Sequence, residues 1–297
     1  MEELIFVVPV AIYLGVVFGV LFWTRHRRKT RWPFKIEDRL LRGPGESLRK
    51  EIFRIDETMV FDLAAGLVAV LLGLVGAVSL SRFLGASPAL SLLAGTLGFL
   101  AAALLSTRRI LRLWDRRQRF YLGWFGERVV AEKLAPLRFS GWRVFHDVPF
   151  VSNGKPFNID HVVVGEGGLF VIETKTRRKG GAVGPGPDDT VYFDGDALHW
   201  PRQKDDRAGL QQAENNATLL TKWLQDEIGE AVPASPIVVI PGWNLEFTRQ
   251  QGARRACRVD SANWIQNTFK DLPPCLSAKT VDLVNRRLLA KCRDVED

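Results

Sequence analysis

Three apolar runs constrain this chain more than any other feature. Residues 4–23, "LIFVVPVAIYLGVVFGVLFW", 60–80, "VFDLAAGLVAVLLGLVGAVSL", and 88–106, "PALSLLAGTLGFLAAALLS", are each about long enough to cross the roughly 30 Å hydrocarbon core of a bilayer as a helix. Only "SRFLGAS" joins the second run to the third, so these two should form a helical hairpin. The first run could instead be a cleaved signal peptide. Its leading "MEE" is acidic where a signal peptide is basic, and no A-x-A site follows, so it reads as an anchor.

The formal net charge of +8 would suit nucleic acid, but its location says otherwise. Residues 24–58 hold 11 Lys/Arg against 6 Asp/Glu, and 107–120 hold 6 against 1, whereas 121–297 hold 23 of each. The excess thus flanks the apolar runs, where basic residues mark the cytoplasmic side and can also hold anionic headgroups. This predicts a multi-pass protein of the cell inner membrane with its N-terminus outside and everything after 107 in the cytoplasm. Residues 1–117 form the membrane region, with a basic inside loop at 24–58 that carries at most one short amphipathic helix on the bilayer surface. The spacing of Gly15 with Gly19, and of Ala69, Gly73 and Ala77, allows close helix contact, so the spans could also bring copies of the chain together.

The rest, 118–297, is read as one cytoplasmic domain. Its three cysteines, Cys257, Cys275 and Cys292, are scattered and odd in number, which suits a reducing compartment and argues against a structural zinc site or a disulfide framework. "FYLGWFGERVVAEKLAPL" has helical periodicity up to Pro136, and "GWRVFHDVPFV" reads as a strand. A pair of strands, a short strand near "TVYFDG", a helix through "DRAGLQQAENNATLLTKWLQDEI" and a buried strand "SPIVVIP" follow, with helices at "SANWIQNTF" and "SAKTVDLVNRRLLAKC" closing the chain. The order predicts an α/β fold with a central sheet covered on both sides.

The strand pair "NIDHVVVGEGGLFVIETKTR" at 158–177 carries acids where buried strands are normally apolar. With Glu166 and Gly167 as a two-residue hairpin loop, opposed residues have numbers summing to 333, so Asp160 faces Glu173 and Asn158 faces Lys175. Two carboxylates held face to face repel and raise each other's pKa unless a cation sits between them. Lys175 supplies one charge. Mg²⁺, which takes one or two protein carboxylates and keeps other positions for water and phosphate, fits an Asp plus a Glu; Mn²⁺ is the alternative. The same residues could instead form a salt bridge at a hairpin end.

"GWFGE" at 123–127, "FNIDHVVVGEGGLFVIETKT" and a helix with "QQAENN" together resemble the nuclease-related domain family, a branch of the PD-(D/E)xK nuclease superfamily, over roughly 121–245. The resemblance implies a restriction-endonuclease-like fold, a central mixed sheet flanked by helices, and Mg²⁺-dependent hydrolysis of phosphodiester bonds, with DNA as the expected substrate. It implies catalytic roles for Asp160, Glu173 and Lys175, with Glu127 as a further metal or water-positioning carboxylate and Gln212 as the helix glutamine; Asn216 stands one turn on. By spacing alone Glu127 reads equally as an exposed helical residue, and Gln212 and Asn216 as surface amides. Where the family often has Asn-Pro before the glutamine, this chain has Ala208-Gly209.

His161 reads as a packed core histidine, and nothing surrounds His146 or His199 to make them ligands. "KTRRK" at 175–179 could grip a phosphate backbone, and Trp200, Trp243 and Trp264 could stack on bases or fill a core. The rival to a nuclease is a membrane-tethered module that binds nucleic acid or protein without turnover.

Overall fold

The computed structural model describes residues 40–152, 154–180, 189–248, 257–263 and 265–293, together with Gly15, Val16, Gly19, Val20 and Trp23. Nearly all of the first apolar run, the loop up to 39, the stretch 181–188 and Trp264 lie outside the described residues. Contacts divide the chain into two compact units: Met1–Asp38 with Ile52–Gln118, and Arg39–Glu51 with Arg119–Asp297. The second unit thus takes in Arg39–Glu51 as well as the stretch expected to form it.

Among the described residues two long helices contribute to the first unit, α1 (Glu46–Phe83) and α2 (Pro88–Leu134), and both are long and apolar enough to cross a membrane. The turn between them is written in local chemistry. Gly85, at φ 77, closes α1 with its amide on the Arg82 carbonyl, and the Ser87 hydroxyl with Pro88 opens α2. The helices touch through small residues: a Cβ on Gly98 would stand 2.6 Å from the Gly73 carbonyl oxygen and 3.0 Å from Cβ of Ala77. The small-residue spacing of the second run therefore serves the chain's own hairpin. Asp62, the acid within that run, is buried and accepts Arg109 Nε at 2.6 Å.

Two expectations change here. Residues 46–58 are not loop but the start of α1. The helix expected at 120–137 is the continuation of the third apolar run, since no breaker interrupts α2 before Leu134; Pro136 falls in the 3-10 turn Ala135–Ser140 that follows.

Among its described residues the second unit holds eight strands: β1 (Arg143–Ser152), β2 (Lys155–Gly165), β3 (Gly168–Thr174), β4 (Thr190–Phe193), β5 (Leu198–His199), β6 (Ala234–Val239), β7 (Asn244–Phe247) and β8 (Arg258–Asp260). Five make a mixed sheet in the order β1-β2-β3-β6-β8, antiparallel up to β3 and parallel beyond. On one face pack α3 (Ala208–Ile228) and α4 (Ala278–Lys291), through Leu220, Leu224, Val284 and Leu288 against Val162 and Val171. On the other face Val130 and Leu134 of α2, with Ile265 and Phe269, meet Val163, Ile172 and Ile237. The crossover from β3 to the parallel β6 runs through α3, as parallel pairing requires.

The chain around "TVYFDG" gives more than the one short strand expected. β4 pairs with both β5 and β7 in a second, three-stranded sheet that shares a core with Leu210, Ala213, Trp200 and Trp243. Both tryptophans are buried and belong to this core, not to a surface that bases could reach.

Candidate active site

The β2–β3 hairpin has the register that its sequence predicts: His161 pairs with Ile172 and Gly165 with Gly168, around Glu166 and Gly167. One step further would set Asp160 against Glu173, and there the ladder ends. Asp160 Oδ2 instead accepts the Thr174 amide at 2.7 Å. On the other side of β2, pairing passes from His146 with His161 to Val148 with Ile159 and skips Asp147 and Asp160. Asp147 has φ 49, in the left-handed region. This interruption inverts the alternation of both strands, because Ile159 and Val162, like Phe145 and Val148, share one core. Strict alternation therefore fails at the acid; register and a local distortion, of the kind that re-aims side chains beside active sites, set its position.

Lys175 follows the last residue of β3. Its amide donates to the Val239 carbonyl at 2.9 Å, extending the pairing toward β6, while the β2–β3 ladder ends at His161 with Ile172 and does not reach Asn158 and Lys175. The Lys175 ammonium donates to Glu173 Oε1 at 2.8 Å and to Gln212 Oε1 at 2.9 Å. Asn216 Nδ2, one turn along α3, donates to Glu173 Oε2 at 3.2 Å. Both helix amides thus reach the site. The start of α3 is set by Asp206, whose carboxylate accepts the Gly209 amide and Arg177 Nη2, both at 2.9 Å. Gly209 is where Lys175 crosses, so this sequence's Ala208-Gly209 gives the lysine room rather than weakening the site.

Glu127 arrives from α2. A Cβ on the preceding Gly126 would lie 2.0 Å from Cγ2 of Thr176, so only glycine lets the helix come this close to the end of β3. Glu127 is 7 % exposed, and its Oε2 is buried without a hydrogen-bond partner among the described residues. Burial, and then the charges of Asp147 and Glu173, push its carboxyl up to about 8. Burial likewise raises Asp160 well above the usual carboxylate range, with Glu173 and Glu127 adding to it. Burial raises Glu173 too, against the pull of Lys175. Burial works against the charge of Lys175, but Glu173 beside it, together with Asp160 and Asp206, outweighs this and holds the ammonium above its ordinary value. Three acids from three elements thus lie within electrostatic reach of one lysine.

Asp160, Glu173 and Glu127 are the carboxylates that could hold a cation. Among the described residues no three His, Cys, Asp or Glu side chains are grouped closely enough to cage a metal ion on their own.

Other candidates fall away. His146 and His161 share a proton between their Nδ1 atoms at 2.8 Å inside the sheet, where burial lowers the imidazole of His146 to about 4. His199 is held between Asp194 and Asp205. In "KTRRK", Arg177 is spent on Asp206 and on the face of Trp200, and Lys179 lies over Trp243. A cavity of about 730 Å³ lined by Trp142, Glu166, Gly167 and Asn285 lies at the hairpin-turn end of β2 and β3, away from the acids.

Sequence patterns gave no sign of a further group. Asp147, 2 % exposed, accepts Arg42 Nε at 2.8 Å and Arg42 Nη2, the Ser47 amide at 2.9 Å and the Ser47 hydroxyl at 2.5 Å. The "RGPGES" stretch at 42–47 is therefore packed on this domain. The one available signal was its helix-start chemistry, Gly-Pro-Gly followed by Glu-Ser.

The second unit is thus a mixed sheet flanked by helices, with acids and a lysine at its strand ends. Residues 122–241 match the family model of the nuclease-related domain, a stretch that holds Glu127, Asp147, Asp160, Glu173, Lys175, Gln212 and Asn216. No curated protein and no solved structure is significantly similar to the chain.

Proposed function

We propose that the protein is a membrane-anchored nuclease that hydrolyses phosphodiester bonds of nucleic acid, with DNA as substrate and Mg²⁺ or Mn²⁺ as cofactor. The observation that carries this reading is Glu173 bonded to Lys175 with Glu127 and Asp160 within electrostatic reach of both, and a buried Glu127 oxygen that has no hydrogen-bond partner among the described residues. A cluster whose acids are all raised by burial, Glu127 and Asp160 also by their acidic neighbours, is one that a hard cation relieves.

When bound, such a cation would lower the pKa of a water and neutralise phosphate charge. Asp160 and Glu173 would hold it, with Glu127 alongside. Gln212 and Asn216 keep the other two groups in place, one accepting from Lys175 and the other donating to Glu173. Lys175, kept charged by Glu173, is suited to stabilising negative charge on the phosphate as the water oxygen bonds to phosphorus and the ester oxygen departs.

The rival reading, a tethered binding module without turnover, draws support from the balanced charge of 121–297. Incubating plasmid with the full chain in detergent, with Mg²⁺, Mn²⁺ or EDTA, separates the two. Cation-dependent cleavage is expected from the enzyme and none from the module.

A further inference from the structure

We propose that the stretch Leu40–Ser47, which lies outside the residues matching the nuclease-related domain, is a working part of the candidate active site, with Asp147 as the positioning residue through which it acts. The inference rests on the nuclease reading above. It begins from how this stretch is fixed. Leu41 forms a bridge with Arg293, and the Arg42 amide donates to the Cys292 carbonyl at 2.9 Å, which ties one end to the close of α4. Asp147 of β1 ties the other end, through the Arg42 guanidinium and the amide and hydroxyl of Ser47.

Ser47 is the second residue of α1, so its amide is one of the first-turn donors that a helix leaves unpaired. A carboxylate at that end also meets the positive end of the helix dipole. Between the two ties lies Gly45, at φ +65. A Cβ there would stand 2.8 Å from Cδ1 of Trp124 and 3.5 Å from Glu127 Oε2, so its backbone lies directly on α2 beside the acid. The Gly45 amide favours the charged form of Glu127, while Asp147 opposes it.

Asp147 also stands at the interruption of the β1–β2 ladder, across from Asp160. One side chain thus connects three things: the stretch from ahead of the hairpin, the surroundings of Glu127, and the distorted strand that aims Asp160. A residue serving only to cap a helix has no need of a left-handed backbone at that point, and such strain is characteristic of functional sites.

The test uses the full chain in detergent with Asp147→Asn, with Ser47→Ala as a milder variant should the first not fold, and with Arg286→Ala on the exposed face of α4 as control. Plasmid cleavage, Mn²⁺ binding and amide hydrogen exchange are measured on each. Both site variants should lower kcat by about tenfold while moving KM for DNA by less than about twofold. Exchange should quicken at 123–128 and 159–162 as well as at 40–47, and Arg286→Ala should change none of these. Faster exchange confined to 40–47, with kcat unchanged, would overturn the proposal and leave the stretch a mere anchor. If the wild type neither cleaves nor binds Mn²⁺, the nuclease reading fails. The exchange pattern at 123–128 and 159–162 then still decides whether Asp147 positions the cluster.

Discussion

Lys175 reaches Glu173 by crossing the first turn of α3 directly over Gly209, where a Cβ would lie 2.7 Å from its Cε. Alanine is the better helix former by about 0.5–1 kcal/mol, so Gly209→Ala gains propensity while pushing the lysine aside. The variant should melt within a few degrees of wild type yet cleave at least roughly tenfold more slowly, because the ammonium no longer stands where charge develops. Thermal melts and initial rates on the same preparation check this. Full activity would show that Lys175 does not work from this position.

Asp160 is the second point of test. Its carboxyl is disfavoured in its charged form by burial and by Glu173 and Glu127, and Lys175 bonds Glu173 and Gln212 rather than Asp160. Asn keeps an oxygen for the Thr174 amide and removes the charge. Asp160→Asn should therefore leave the metal-free protein as stable or slightly more stable, while abolishing stabilisation by Mg²⁺, which a ligand bound only to the folded state supplies by mass action. Melts of both proteins in EDTA and in excess Mg²⁺ are the measurement. A clear drop for the variant in EDTA, with no Mg²⁺ shift in wild type, would contradict the account.

Glu127 predicts a pH dependence. Its carboxyl titrates near 4.5 when unfolded and is pushed up to about 8 in the fold. Between those values the folded state binds a proton that the unfolded state has released, so stability falls as pH rises through that window and levels off above it. In EDTA the melting temperature should decline from pH 5 to 8, and Glu127→Gln should flatten that decline. An unchanged slope in the variant would show that Glu127 is not the group responsible.

The hairpin register could be read from the sequence because a two-residue loop at Glu166-Gly167 leaves little choice of pairing, and the apolar runs of β2, β3 and β6 marked the buried sheet. The amides Gln212 and Asn216 fell on one helix face by spacing alone. Asp147 did not show, because its partners Arg42 and Ser47 lie 105 and 100 residues away and its left-handed backbone leaves no trace in residue type. Nor did the small sheet of β4, β5 and β7, whose strands are of two to four residues and too short for alternation to register. The distortion at Asp160 broke the alternation that a reader of strands depends on.

The basic flanks at 24–58 and 107–120 predict a cytoplasmic C-terminal domain. A reporter active only in the periplasm, fused after Asp297, should stay silent, and activity from it would reverse the orientation.

The most direct test of the central claim is cleavage itself, by the full chain rather than by residues 118–297, since that fragment lacks Arg42 and Ser47. Purified in detergent and given supercoiled plasmid, the wild type should nick or linearise it with Mg²⁺ or Mn²⁺ and leave it intact with EDTA, and Lys175→Met, which keeps the length of the side chain without its charge, should lose the activity. Cleavage that survives EDTA or persists in Lys175→Met, or none from a wild-type protein with an intact melt, would contradict the assignment of Asp160, Glu173 and Lys175 to a cation-dependent nuclease.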